Sequence, residues 1–230
     1  MFAEPSLTMQ SLREARLADP AKPLMRGWLH LVATPIALVA GMALTVFAPT
    51  LEGRISAAIF TFTAVLLFGT SAVYHRGNWS PRVKATLRRL DHANICLIIA
   101  GTYRPLTALL LDGTQRVVVL SLVWGGALLG VLFRMLWLSA PRWLYVPLYV
   151  ALGWVAVGYL QPFYRASGLA VVSFIALGGL CYTVGAIVYG TKWPRGWERY
   201  FGFHEIFHAL TIVGFTCHYV ACAMVILADT

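Results

Sequence analysis

The sequence predicts an all-α membrane protein, a bundle of seven transmembrane helices, on three observations. Of its 230 residues 59% are hydrophobic and only 12% charged; the mean hydropathy is +0.72; and apolar runs of about 20 residues succeed one another with short polar breaks between them. A surface of that composition is solvated by lipid rather than water, and a chain of this length has room for one bundle and no separate globular domain.

Taken in order, residues 1–27 mix Glu4, Glu14 and Asp19 with Arg13, Arg16 and Lys22 and lack the apolar core of a cleavable signal peptide, so they read as a cytoplasmic tail. The membrane domain, 28–230, follows. Spans are expected at 28–47, 55–74, 92–111, 117–138, 143–160, 169–189 and 204–227. Each has the length a helix needs to cross a hydrocarbon layer. The connections carry turn signals: Pro49 and Gly53 in 48–54, Gly113 in 112–115, Pro194 and Gly196 in 192–200. Apart from this succession there is no internal repeat, which weakens a reading as an inverted-repeat transporter.

Fourteen of the eighteen lysines and arginines fall on one side of this arrangement, including Arg26 in the tail, Arg82, Lys84 and Arg88 in the second connection, and Lys192 and Arg195 in the sixth. Positively charged loops are retained in the cytoplasm, so the amino terminus is expected inside and the carboxyl terminus outside. The net charge of +9 has the same origin: basic residues flank the apolar runs, where anionic headgroups account for them, and no nucleic-acid partner is implied. Cys96, Cys181, Cys217 and Cys222 lie scattered in apolar segments without CxxC spacing, so neither a disulfide framework nor a cysteine metal site is indicated. Trp28, Trp79, Trp143, Trp193 and Trp197 read as interfacial anchors. Gly125-Gly126 and Gly178-Gly179 read as points of close helix approach.

The topology brings four ionisable residues to one depth: His75 ends the second span, Asp91 precedes the third, and His204 and His208 open the seventh. Residues four apart project from one face of a helix, a turn apart, so His204 and His208 can share a metal; Ser71 and His75 repeat the spacing. Such groups at the edge of a span are costly unless paired or coordinated. Three neutral imidazoles suit zinc better than the oxygen-seeking calcium or magnesium. The plain reading, histidines facing headgroups or capping helices, is adopted for His30, His92 and His218. The pentapeptide from His204 to His208 also fits HExxH, which would make Glu205 a metalloprotease base; this ranks lower because no further acidic ligand motif accompanies it.

These segments resemble the hemolysin III family of bacterial membrane proteins, related to the progestin and adiponectin receptors. The carriers are Ser71-Ala72-Val73-Tyr74-His75, Leu90-Asp91-His92-Ala93-Asn94-Ile95 leading to Ala100-Gly101-Thr102-Tyr103, and His204-Glu205-Ile206-Phe207-His208. Arg104 departs from the pattern, which has a smaller polar residue after the tyrosine. The resemblance covers nearly the whole chain. It implies a seven-helix fold with an inward amino terminus, location in the bacterial plasma (inner) membrane, and Zn2+ held by His75, His204 and His208, with Asp91 and Ser71 as catalytic residues around a water on the metal. Three protein ligands leave a position for water, and zinc brings the pKa of such a water to about 7. The function expected is zinc-dependent hydrolysis of a lipid amide or ester, as in ceramidases, with membrane lipid as the partner. The alternatives are a membrane-homeostasis or sensor protein with structural zinc and, third, cytolysis.

Overall fold

The computed structural model describes residues 23–195 and 200–229. The tail expected over 1–27 therefore lies outside the described residues as far as residue 22. The helices are α1 (Trp28–Phe47), α2 (Leu51–Arg76), α3 (Pro81–Leu110), α4 (Gly113–Leu136), α5 (Arg142–Trp154), a short 3-10 stretch (Val155–Tyr159), α6 (Leu160–Thr191) and α7 (Phe203–Leu227). No strand occurs among the described residues. Six helical stretches are long and apolar enough to cross a membrane, Arg142–Thr191 being one of them at 50 residues. The chain is an all-helical, multi-pass membrane protein.

Local chemistry sets the helix ends. Thr50 caps α2, its Oγ1 accepting from the Gly53 N–H at 3.0 Å, with Glu52 in the first turn where the helix dipole favours an acid. Helix α3 starts at Pro81, not at residue 92 as expected. Proline suits the first helical position because its missing N–H is not needed there. Hydropathy registers only the apolar part of a helix, and the first turns of α3 carry the exposed Arg82, Lys84 and Arg88. Asp91 consequently sits well inside a helix with neighbours on both sides, and is buried.

Helix α3 is the centre of the bundle and packs on α2, α4, α5, α6 and α7. Small residues allow the close approaches: a Cβ on Gly101 of α3 would overlap Thr63 of α2, and one on Gly41 of α1 would overlap Thr61. Of the two glycine pairs noted in the sequence, one member each is tight. A Cβ on Gly126 would meet Leu152 and one on Gly178 would meet His218, whereas Gly125 and Gly179 have open space. Asn94 ties α3 to α2, its Nδ2 donating to Leu66 O and Thr70 Oγ1, both at 3.1 Å.

The Arg142–Thr191 stretch is not one straight rod. Gly168 has φ 80° and ψ −177°, a conformation that suits glycine and interrupts α6. Across it, Arg142 Nη1 donates to Tyr189 O, Tyr145 and Tyr189 share a hydroxyl hydrogen bond, and Trp154 Nε1 donates to Thr183 Oγ1. The partners run in opposite directions, so the segments before and after Gly168 lie antiparallel. Where α5 gives way to the 3-10 stretch, Tyr103 hydroxyl donates to Gly153 O and accepts from the Ala156 N–H, both at 2.6 Å. Backbone groups released from a helix at membrane depth need such a partner.

Candidate metal centre

His75 comes from the last turn of α2, and His204 and His208 from the first two turns of α7. One ligand atom from each lies within 4.8 Å of the others. His75 Nε2 and His204 Nε2 are 3.2 Å apart. Zn–N bonds of about 2.0–2.1 Å at tetrahedral angles place two ligand nitrogens about 3.3 Å apart, so this pair already has the required separation. The three imidazoles thus fit a metal by donor type, by number and by spacing.

Asp91 and Ser71 complete the expected group. Asp91 Oδ2 is 4.0 Å from His75 Nε2, beside the histidine group. Ser71, one turn before His75, is buried, and its hydroxyl adjoins the Asp91 carboxyl. It makes no hydrogen bond of full geometry. A buried hydroxyl left in this state next to a carboxylate is suited to receive a further polar group.

Glu205 is turned away. It is 1% exposed, its Oε2 accepts from the Gly202 N–H at 2.9 Å, and its other oxygen is ion-paired with Arg26. Glu205 thus caps α7 and anchors the segment before α1; it does not face the histidines as a general base would. The HExxH reading fails on this geometry, because the capping bond and the Arg26 ion pair engage both carboxylate oxygens and hold the side chain back toward Gly202.

Three histidines taken as bland in the sequence belong to the site region. His30 of α1 stacks on His208 with ring centroids 3.9 Å apart and planes 12° apart. It is buried, and neither ring nitrogen has a partner. His92 and His218 line the same cavity as His30, Asp91, His204 and His208. Nothing in the periodicity of α1 marks His30, because its companion is on another helix. The arginine behind His92, Arg134, did carry a signal: a charge inside the apolar run 117–138.

The cavity has a volume of about 370 Å³, within the range of small-molecule pockets. Its polar end is formed by His204 and His208 with His30, Asp91 and Ser71. It follows α3 past Ile95, Ile98 and Thr102 to Leu106 and Phe163, where the lining is apolar. Fifteen residues of helix separate Asp91 from Leu106, about 22 Å at 1.5 Å per residue. A second cleft between α5 and α6 shares Val146, Val150, Trp154, Thr183 and Ala186 with the cavity wall. At those residues the wall between the cavity and the outside of the bundle is one layer of side chains thick.

A family model described as "Haemolysin-III related" matches residues 19–219. A protein named "Hemolysin-3 homolog" from Bacillus subtilis (strain 168) is 31% identical over 160 residues, covering 70% of this chain and 72% of that protein. "Hemolysin-3" of Bacillus cereus is 28% identical over 174 residues, covering 76% and 73% respectively.

Proposed function

The chain belongs to the haemolysin-III-related family, and from that premise we propose that it is a zinc-dependent hydrolase of lipid amides or esters in a bacterial plasma membrane. The observation that carries this reading is that His204 and His208, grouped with His75, stand with Asp91 and Ser71 at the polar head of a long apolar cavity. A headgroup linkage placed at that polar end leaves the acyl chain along Ile95, Ile98 and Leu106, and the thin wall between α5 and α6 is where a lipid would enter from the bilayer.

His75, His204 and His208 would hold the zinc. When bound, zinc supplies Lewis acidity and makes hydroxide available near neutral pH. Asp91, 4.0 Å from His75 Nε2, would accept a proton from the attacking water and pass it to the leaving group. Ser71 Oγ, buried without a hydrogen-bond partner among the described residues, would hydrogen-bond that water or the developing oxyanion. The buried apolar walls exclude bulk water, which strengthens each of these contacts.

Seven crossings, with the amino terminus inside, belong to this reading. Gly168 and the antiparallel pairs Arg142–Tyr189 and Trp154–Thr183 support two crossings within Arg142–Thr191. Fourteen of eighteen basic residues on one side support the orientation. The second reading, structural zinc, draws on the fact that the three histidines join α2 to α7, as a metal clip would. Cytolysis rests on the relatives' names alone.

Elemental analysis of detergent-purified protein, followed by assay of fatty-acid release from ceramide and phospholipid, tests the proposal. The expected result is about one zinc per chain, lost in His204→Ala and His208→Ala, with lipid hydrolysis lost in Asp91→Ala while zinc remains. Metal-free wild type overturns the zinc site. Zinc-replete protein with no lipid turnover leaves the structural reading.

A further inference from the structure

Arg134 of α4 has no exposed surface. Its Nη2 is 2.5 Å from His92 Nδ1, its Nη1 lies 3.4 Å from Trp137 O, and its Cζ stands 4.2 Å from the centroid of the Tyr145 ring. Its Nε has no partner. Among the described residues no carboxylate pairs with it. A guanidinium buried in a membrane bundle without an acid is unfavourable for the fold taken alone, and so invites a functional account.

A guanidinium has donors and no acceptor. His92 Nδ1 must therefore accept from Arg134, and the ring proton resides on Nε2, at the opposite edge of the imidazole. His92 follows Asp91 directly in α3 and lines the cavity. Its ring is held by stacking on Tyr145, centroids 5.7 Å apart, and its backbone carbonyl by the Tyr149 hydroxyl at 3.2 Å. With Nδ1 occupied, Nε2–H is the polar group this ring can offer to the cavity.

We propose that His92 Nε2–H donates a hydrogen bond to the carbonyl oxygen of the bound lipid and to the carboxylate of its product, with Arg134 as the positioning residue that fixes the His92 tautomer. This rests on the lipid-hydrolase reading and deepens it. A donor held in place before substrate arrives favours oxygen that gains negative charge, and the buried cation behind the ring strengthens the donor. Asp91 and His92, adjacent in sequence, then take opposite parts: one accepts protons from water, the other binds acyl oxygen.

Two measurements on zinc-loaded protein in nanodiscs test it. In ring-15N-labelled protein, with the His92 signal identified by its loss in His92→Gln, wild type shows the Nε2–H tautomer and Arg134→Met populates Nδ1–H. Binding is then compared for palmitate and for hexadecanol, which lacks the carboxylate. His92→Phe weakens palmitate by about tenfold or more, the loss expected for a hydrogen bond to a charged group, and leaves hexadecanol and zinc content unchanged. His92→Gln, whose amide nitrogen falls near the Nε2 position, recovers most of the palmitate affinity. Arg134→Met weakens palmitate in the same direction without altering His92 itself. An Nδ1–H tautomer in wild type, unchanged palmitate affinity in His92→Phe, or zinc lost with His92 overturns the inference. Wild type that releases no fatty acid from ceramide or phospholipid refutes the hydrolase reading instead, and the palmitate and hexadecanol pair still decides the donor.

Discussion

Replacing Glu205 by glutamine separates a structural acid from a catalytic one. Glu205 is 1% exposed, bonded to the Gly202 N–H at 2.9 Å and ion-paired with Arg26, whose side chain is 23% exposed. Glutamine keeps an acceptor for the capping bond, since either Glu or Gln serves at the third position of the helix. What it removes is the charge-assisted contact, worth about 1.5–3 kcal/mol when buried. Partial exposure of Arg26 moves the expectation to the lower end, about 1.5 kcal/mol. Glu205→Ala also removes the cap, for about 1 kcal/mol more. At about 2–4 °C per kcal/mol for a chain of this size, the midpoint of thermal unfolding in detergent falls by about 3–6 °C in Glu205→Gln and further in Glu205→Ala. Arg26→Met lowers it similarly, and the double variant Arg26→Met with Glu205→Gln costs less than the two separately because the lost contact is the same one. Zinc content and lipid hydrolysis per folded molecule stay at the wild-type level. A general base would behave in the reverse way, with an unchanged midpoint and activity down by about 10²–10⁴-fold. That pattern in Glu205→Gln would refute the structural assignment.

The remaining predictions concern the fold around the cavity. A cysteine at Ala166, next to the Gly168 turn and exposed, reacts with a membrane-impermeant maleimide from outside the cell, while one at the exposed Ser80 reacts only after permeabilisation, both in a background lacking Cys181; labelling of both from the same side contradicts the seven-crossing topology. Tyr103→Phe leaves Gly153 O and the Ala156 N–H without their partner, at a cost of about 1–3 kcal/mol. Amide hydrogen exchange at Ala156 then accelerates, and unchanged protection there would show that the hydroxyl is not what holds the 3-10 stretch.

Much of this architecture was legible from residue order. Apolar runs reveal helices because a backbone in lipid must satisfy its own hydrogen bonds, and i, i+4 spacing aligns His204 with His208 on one helix face. The start of α3 was not legible: Pro81 to Leu90 is helical but largely exposed and interrupted by Arg82, Lys84, Arg88 and Arg89, and hydropathy is blind to it. Glu205 was misleading for a related reason, since the HExxH pattern records spacing and not which way a side chain is held by Gly202 and Arg26.

Residue order is enough to make this a helical membrane protein and to assign the histidines to particular faces of α2 and α7. What meets those faces depends on how the helices pack. His30 stacks on His208, Arg134 reaches His92, and Asp91 stops 4.0 Å from His75 because of how α1, α3 and α4 are rotated and how closely they approach. Those rotations are set by contacts between helices, such as Gly101 of α3 against Thr63 of α2 and Gly41 of α1 against Thr61 of α2. The periodicity of a single helix specifies the direction of a side chain about its own axis; the distance to its partner depends on the packing of two.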